Sequence, residues 1–400
     1  MLSPLMPRNM EMSTFNVLII YVIILCTWPI FFSLKFTPTV YVFLMALNQA
    51  LWVPAFINEF SGEGIAFHYY ITFLVPSIFL LLFVIFHDAL NSDSHSLNHT
   101  IRTFALFIFI SFSYSLIEMS IMFGFDNMYD VVSLYKRMEH GGISNAIVTF
   151  FGTTYYSAFI YASIYFLFFS KLLVNVSTRN VLITALCAFL VLGAQSKIIL
   201  LSCFIGTILL LLLNSKVIFR ALGFIFITFA LVIITNLDYL IAFLRLFELT
   251  SARSLANLLS SPETSGTLNV RLEQIKFALD FLNDSYGFGV DFGKGIYLES
   301  WVSKLLYTQG FFGVFLFLTL VSSSVYMSFF VFKFSENNSE INALGKALFV
   351  WSILLPVMQL SNYSIFASKM GLISMCFFAM ISYLYNKVKD EYYNLPHSTC

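Results

Sequence analysis

Polar and apolar positions in this chain fall into long blocks. Mostly apolar runs cover about 16–34, 39–57, 68–87, 101–123, 146–170, 180–195, 197–213, 217–235, 301–332, 345–362 and 370–386. Each is near the roughly 20 residues that carry a helix across bilayer hydrocarbon. The pattern predicts an all-α, polytopic integral membrane helical bundle of about eleven transmembrane helices, within a range of about 10–12. One stretch breaks it. Residues 236–300 form a long, mostly polar insert. The expected organisation is an N-terminal transmembrane bundle over 1–235 (about eight helices), a large and partly helical loop over 236–300, about three helices over 301–386, and a tail over 387–400.

The insert has a texture of its own. Residues 268–282 read as an amphipathic helix, with Leu272, Ile275, Leu279 and Leu282 recurring at three- and four-residue steps. Arg271, Gln274 and Lys276 are expected away from that stripe. Ser260, Pro262, Ser265 and Gly266 mark a turn ahead of it. An earlier helix over 239–259 is expected to split near Thr250 and Ser251, a plausible cap. After the amphipathic helix come Gly287-Phe288-Gly289, then Gly293 and Gly295, a density that permits tight backbone turns.

Composition fits the block pattern. Hydrophobic residues make up 59% and charged residues 10%, against roughly a quarter charged in soluble domains. The formal net charge is zero, so no broad basic surface suggests nucleic acid. Cys26, Cys187, Cys203 and Cys376 fall in apolar runs and Cys400 ends the sequence, so no disulfide framework is expected in the insert. The first apolar run lacks the basic flank and small-residue site of a cleaved signal peptide. Lys171 with Arg179, Lys216 with Arg220, Lys333 with Lys346, and Lys387 with Lys389 flank spans and favour the cytoplasmic side. The 58–67 junction, with Glu59 and Glu63, and the 236–300 insert then face the opposite side. Lys136 and Arg137 run against the rule, and Arg8 favours an internal N-terminus where the span count puts it outside.

Candidate chemistry gathers around the insert. Arg271 offers a planar, permanently charged fork suited to phosphate oxygens. Glu299 stands where the chain re-enters the membrane and is a candidate general base. The same two residues also fit a plainer role, a solvated or headgroup-contacting arginine and a loop-end carboxylate. Gln195-Ser196-Lys197 splits one apolar stretch into two short spans, and a lysine so near hydrocarbon either snorkels or meets an anion. Arg253 and Arg137 are further candidates for holding an anionic substrate, the latter beside His140 and Gly141. Glu118 lies inside the fourth run, near enough its end to reach water. The fifth run is rich in hydroxyls, among them Thr149, Tyr155, Tyr161 and Ser163, which suits interhelical bonding as well as sugar handling. No Walker A motif, zinc-type Cys/His cluster or GxSxG motif is present, so none of these patterns points to a metal or cofactor.

Two segments resemble the O-antigen polymerase and ligase superfamily of bacterial envelope proteins. "GAQSKIILLSCFIG" is similar to that family's short Ser-Arg turn between two spans, with Lys197 in place of the arginine. "NVRLEQIKFALDFLNDSYGFGVDFGKGIYLESWVSKLLYTQGFFGVFLF" is similar to its block of loop arginine, helix, glycine pair and membrane re-entry. In that match Arg271 takes the place of the loop arginine, Gly287 and Gly289 the glycine pair, and Gly310 and Gly313 the glycines of the next span. The ligase branch usually shows His-Asn before that span; Glu299-Ser300 stands here instead, which favours the polymerase branch. The resemblance implies a metal-independent glycosyl transfer at the periplasmic face of the bacterial inner membrane. Donor and acceptor would be glycans on undecaprenyl pyrophosphate, and a separate chain-length regulator would be a partner. Arg271 and Lys197 would hold the departing pyrophosphate and Glu299 would serve as base. Competing readings are the ligase, a lipid-linked oligosaccharide flippase, for which the expected internal symmetry is missing, and a membrane protein whose loop binds a partner.

Overall fold

The computed structural model describes residues 67–92, 95–122, 146–151, 153–214, 216–235, 266–284, 287–289, 298–360, 362–363, 365 and 368–394, with Val40, Phe43, Leu44, Ala46, Leu47 and Ala50. Its helices are α1 (Phe67–Ser92), α2 (Ser96–Met122), α3 (Thr154–Val174), α4 (Thr178–Ala194), α5 (Lys197–Leu212), α6 (Val217–Thr235), α7 (Gly266–Asp284), α8 (Trp301–Phe334), α9 (Ser339–Met358) and α10 (Ser368–Asn394). A single 3-10 turn at Thr149–Phe151 precedes α3, and no strand occurs among the described residues. The described residues are therefore all-helical apart from turns and short connections. Helices α2, α3, α8, α9 and α10 contain stretches long and apolar enough to cross a membrane, while α4, α5 and parts of α1 and α6 are apolar but shorter. The expected runs over 16–34 and 39–57 and the helix over 239–259 lie wholly or largely outside the described residues.

Several boundaries are set by small polar caps that hydropathy does not register. Thr153, Ser177, Ser300 and Asn338 each accept a backbone N–H from the first turn of α3, α4, α8 and α9 respectively, satisfying one of the donors that a helix start leaves unpaired. This is why α9 begins at Ser339, ahead of the apolar run expected from 345. Helix α10 likewise continues to Asn394, so the start of the expected tail is helical.

Outward faces are as apolar as inward ones. Val217, Ile218, Phe224 and Ile225 on α6, and Phe311, Phe312 and Phe315 on α8, are all exposed. Contiguous apolar surface of this kind suits lipid and is rare on soluble monomers.

Helix α3 sits at the centre, and hydrogen bonds fix its register against α9. Tyr155 Oη donates to the Met358 carbonyl (2.5 Å), Trp351 Nε1 to Ser163 Oγ (3.0 Å), and Ser170 Oγ to the Ala343 carbonyl (2.7 Å). One partner's number rises as the other's falls, so the two helices are antiparallel. Interhelical bonds of this type contribute roughly 0.6 kcal/mol each in a membrane; register, more than stability, is what they supply. Asn342 Nδ2 donates to the Phe332 carbonyl and closes the α8–α9 hairpin.

These contacts define two ends. The turn before α3, the end of α9 and the start of α8 lie at one. The ends of α3 and α8 lie with the start of α9 at the other, together with Lys171, Arg179 and Lys333; it is called the basic end below.

Candidate functional site

Helix α7 reaches the bundle through a small apolar cluster of its own. Ala278 and Leu282 are buried with Leu298, Leu306 and Tyr307, and Ile275, Phe277 and Phe281 pack around them. Phe277 stacks on Tyr307 with ring centroids 5.8 Å apart. Burying one such side chain contributes about 1.5–3 kcal/mol, so this cluster, more than any charge, holds α7 in place.

The docking face differs from the stripe expected from sequence. Leu272 and Leu279 are 56% and 41% exposed. The inward face runs through Arg271, Gln274, Ile275, Ala278 and Leu282. Arg271 and Gln274, expected away from the apolar stripe, are thus on the side that meets the bundle.

There they meet the re-entry loop. Arg271 Nε lies 3.7 Å from Glu299 Oε2. Gln274 Oε1 accepts the Glu299 N–H (3.1 Å), while the Glu299 carbonyl accepts from Tyr363 N–H (2.7 Å). Two residues on, Trp301 N–H donates to the Gln359 carbonyl (3.2 Å). The backbone of Glu299 is therefore clamped between α7 and the segment after α9. The ion pair is part-exposed, with side chains 24% and 34% accessible. Pairs of that kind stabilise a fold by about 0–1 kcal/mol, too little to account for the clamp around it. The contact takes the inner nitrogen of the guanidinium; the terminal nitrogens form the fork that matches two phosphate oxygens.

The expected glycines meet at the other end of α7, against α8 and not beside Arg271. Gly287, Phe288 and Gly289 lie against α8 where that helix breaks. Gly310 has φ 65° and ψ −160°, a region that is essentially glycine-only, and the Phe311 N–H donates to the Gly287 carbonyl (3.2 Å). A Cβ on Gly310 would land on that carbonyl, and one on Gly289 would come 2.7 Å from the Gln309 and Gly310 amide nitrogens. The kink has a consequence for the span. At about 1.5 Å per residue, Phe311 to Phe334 alone is long enough to cross bilayer hydrocarbon. The stretch from Trp301 to Gln309 is an extra helical segment ahead of it.

The sequence reading passed over one charged group and misjudged the exposure of another. Lys304, on the first turn of α8, is half-buried with Nζ 5.9 Å from the Tyr363 ring centroid; a lone cation inside an apolar run was the available signal. Glu118, expected to reach water, is 1% exposed. Its carboxylate accepts from the Val148 N–H (3.1 Å) and the Thr149 N–H (2.8 Å), and Thr149 Oγ1 contacts the Tyr161 hydroxyl. Glu118 thus holds the short segment leading into α3.

Lys197 is the first residue of α5. The turn before it is tight, with Gln195 in the left-handed region at φ 57° and ψ 22°. Ile147 N–H donates to the Gly193 carbonyl (2.8 Å), which joins this turn to the segment held by Glu118. Through Tyr155 and Met358 that segment joins the Trp301–Gln359 contact and so Glu299. Lys197, Arg271, Glu299 and Lys304 therefore share one end of the bundle. Arg253 and Arg137 lie outside the described residues. No family model matches the chain, and no curated protein matches it.

Proposed function

We propose that this chain is a membrane-embedded, metal-independent glycosyltransferase that joins undecaprenyl-pyrophosphate-linked repeat units into O-antigen or a related surface polysaccharide. The proposal includes the finer topology: about eleven spans in the bacterial inner membrane, with residues 236–300 and the mouth of the site in the periplasm. The observation that carries it is the Arg271–Glu299 pair, an arginine beside a carboxylate whose backbone is clamped just ahead of α8, at the end where Lys197 also lies.

In the proposed step an acceptor hydroxyl oxygen bonds to the anomeric carbon of the donor glycan. The bond from that carbon to the pyrophosphate oxygen breaks, and its electron pair leaves with the lipid pyrophosphate. The hydroxyl proton passes to Glu299. Arg271 and Lys197 hold the charge that develops on the leaving group, where fixed cations are most effective. Phosphate oxygens of the donor compete with Glu299 for the guanidinium, so donor docking and release of the carboxylate are one event. Both lipid tails stay in the bilayer, and α7 covers the sugars.

The test is Arg271→Ala in cells, with expression checked by immunoblot. Removing one such donor costs about 10²–10³ in rate, so the surface polysaccharide ladder should collapse to core plus a single repeat unit. A full ladder at normal expression rejects the assignment. Core without any repeat, with polymer accumulating on the carrier, indicates the ligase; repeats trapped on the inner face indicate the flippase.

A further inference from the structure

Charge also collects at the basic end, well away from Arg271 and Glu299. Two adjoining cavities open there between helices. One, of about 210 Å³, is lined by Asn98, Ile101, Arg102, Lys171, Arg179 and Glu340. Its neighbour, about 100 Å³, shares Asn98, Ile101, Lys171 and Glu340 and adds Lys387 and the buried ring of Tyr383.

The cations come from four helices: Arg102 from α2, Lys171 from the last turn of α3, Arg179 from the first turn of α4 and Lys387 from α10. Glu340 is the single carboxylate among the lining residues, and it pairs with Lys171 at 3.7 Å. Like charges lining one small space repel, and one carboxylate does not balance four cations. The start of α9 adds to the positive side, since Asn338 and Ile341 line the smaller cavity and a helix N-terminus favours anions. Leu97, Ile101 and Leu344 give it an apolar wall. Span-end cations that only set orientation have no reason to line two adjoining cavities from four helices.

We infer that this cleft binds a phosphate group, carried either by the headgroup of an anionic lipid or by free phosphate. Guanidinium forks match phosphate oxygens. The larger cavity is below the roughly 300 Å³ at which pockets for drug-sized ligands begin, so it suits a compact oxyanion. Basic pockets between membrane helices take anionic headgroups in the same way. The inference is independent of the glycosyltransferase proposal.

The experiment uses the purified full-length protein in an uncharged detergent, titrated in parallel with short-chain phosphatidylglycerol, short-chain phosphatidylcholine and inorganic phosphate. The readout is the thermal midpoint, supported by native mass spectrometry of bound lipid. A ligand that binds only the folded state raises the midpoint. Phosphatidylglycerol should raise it saturably by several degrees and phosphatidylcholine should not. The same rise with inorganic phosphate identifies free phosphate as the ligand, and its absence identifies the lipid headgroup. Arg102→Gln and Arg179→Gln, both at exposed positions, should each weaken the effect at least tenfold, and Lys387→Gln should lower the count of bound phosphatidylglycerol. Arg220→Gln, near the start of α6 and outside both cavities, should leave the effect intact. No rise with either phosphatidylglycerol or phosphate, an undiminished rise in the Arg102 and Arg179 variants, or equal loss in Arg220→Gln overturns the inference.

Discussion

Two ion pairs of equal length stand at opposite ends of the bundle, Lys171 with Glu340 and Arg271 with Glu299, each at 3.7 Å. Distance alone would rank them together, and each contributes about 0–1 kcal/mol as a part-exposed pair. Their surroundings separate them. The Glu340 side chain is 65% exposed, on the first turn of α9, where a helix N-terminus favours any carboxylate. Glu299 belongs to no helix. Its amide and carbonyl are taken by two different elements, Gln274 of α7 and the Tyr363 N–H. One carboxylate is where local helix chemistry would put it. The other stands on a backbone held by long-range contacts that the ion pair itself cannot account for.

The largest expected effect lies at the α8 kink, against which the loop after α7 packs. Gly310→Val places a branched side chain where the backbone region alone costs about 1–3 kcal/mol and where a Cβ meets the Gly287 carbonyl. The expected result is loss of most monodisperse protein in fluorescence-detected size exclusion, or a thermal midpoint lowered by many degrees. A fully stable variant would show that the loop does not depend on the kink. Next in size is Glu299→Gln. It keeps the shape and both backbone bonds but removes the proposed proton acceptor. General-base catalysis supplies about 10²–10⁴, or roughly 3–5 kcal/mol of barrier. Polymer formation should fall by that factor with the thermal midpoint unchanged, and unaltered turnover would remove Glu299 from the chemistry.

Hydropathy carried most of the fold because a span's length is a local property. The runs at 180–195, 197–213 and 217–235 appear as α4, α5 and α6 within about two residues, as is usual for helix ends. The helix expected at 268–282 appears as α7, Gly266–Asp284. What could not be read was which face of α7 docks. Leucines ordinarily mark the buried side of an amphipathic helix, but Leu272 and Leu279 stay exposed, and the polar Arg271 and Gln274 turn inward to meet Glu299. Arg271 and Glu299 were each legible as candidates; their meeting was not, since 28 residues of chain separate them. Gly310 was legible as a glycine, while its positive φ depends on the Gly287 carbonyl from another segment. The partners of Glu118 lie 30 and 31 residues on, beyond any local pattern.

Glu118 extends the comparison to a carboxylate with no exposed share. Glu118→Ala removes the acceptor from two buried amides, and an unsatisfied buried donor costs about 1–3 kcal/mol. The thermal midpoint should fall by several degrees, while Glu118→Gln, which keeps one acceptor oxygen, should fall by less. Equal losses in the two variants would assign the effect to the charge and not to the two amide bonds.

The smallest effect belongs to Glu340. Glu340→Gln removes an ion pair worth about 1 kcal/mol at most, and what it removes is already screened by salt. Its thermal midpoint should stay within a degree or two of the wild type and its polymer ladder should be unchanged, in contrast to Glu299→Gln. The substitution also takes away the only carboxylate among the described residues lining the cationic cavities. Freed of that competitor, the cleft should hold phosphatidylglycerol up to about fivefold more tightly, the ratio that corresponds to about 1 kcal/mol. A drop in polymer formation on Glu340→Gln as large as that on Glu299→Gln would make the two pairs equivalent after all. The anchoring of Glu299 would then no longer single it out.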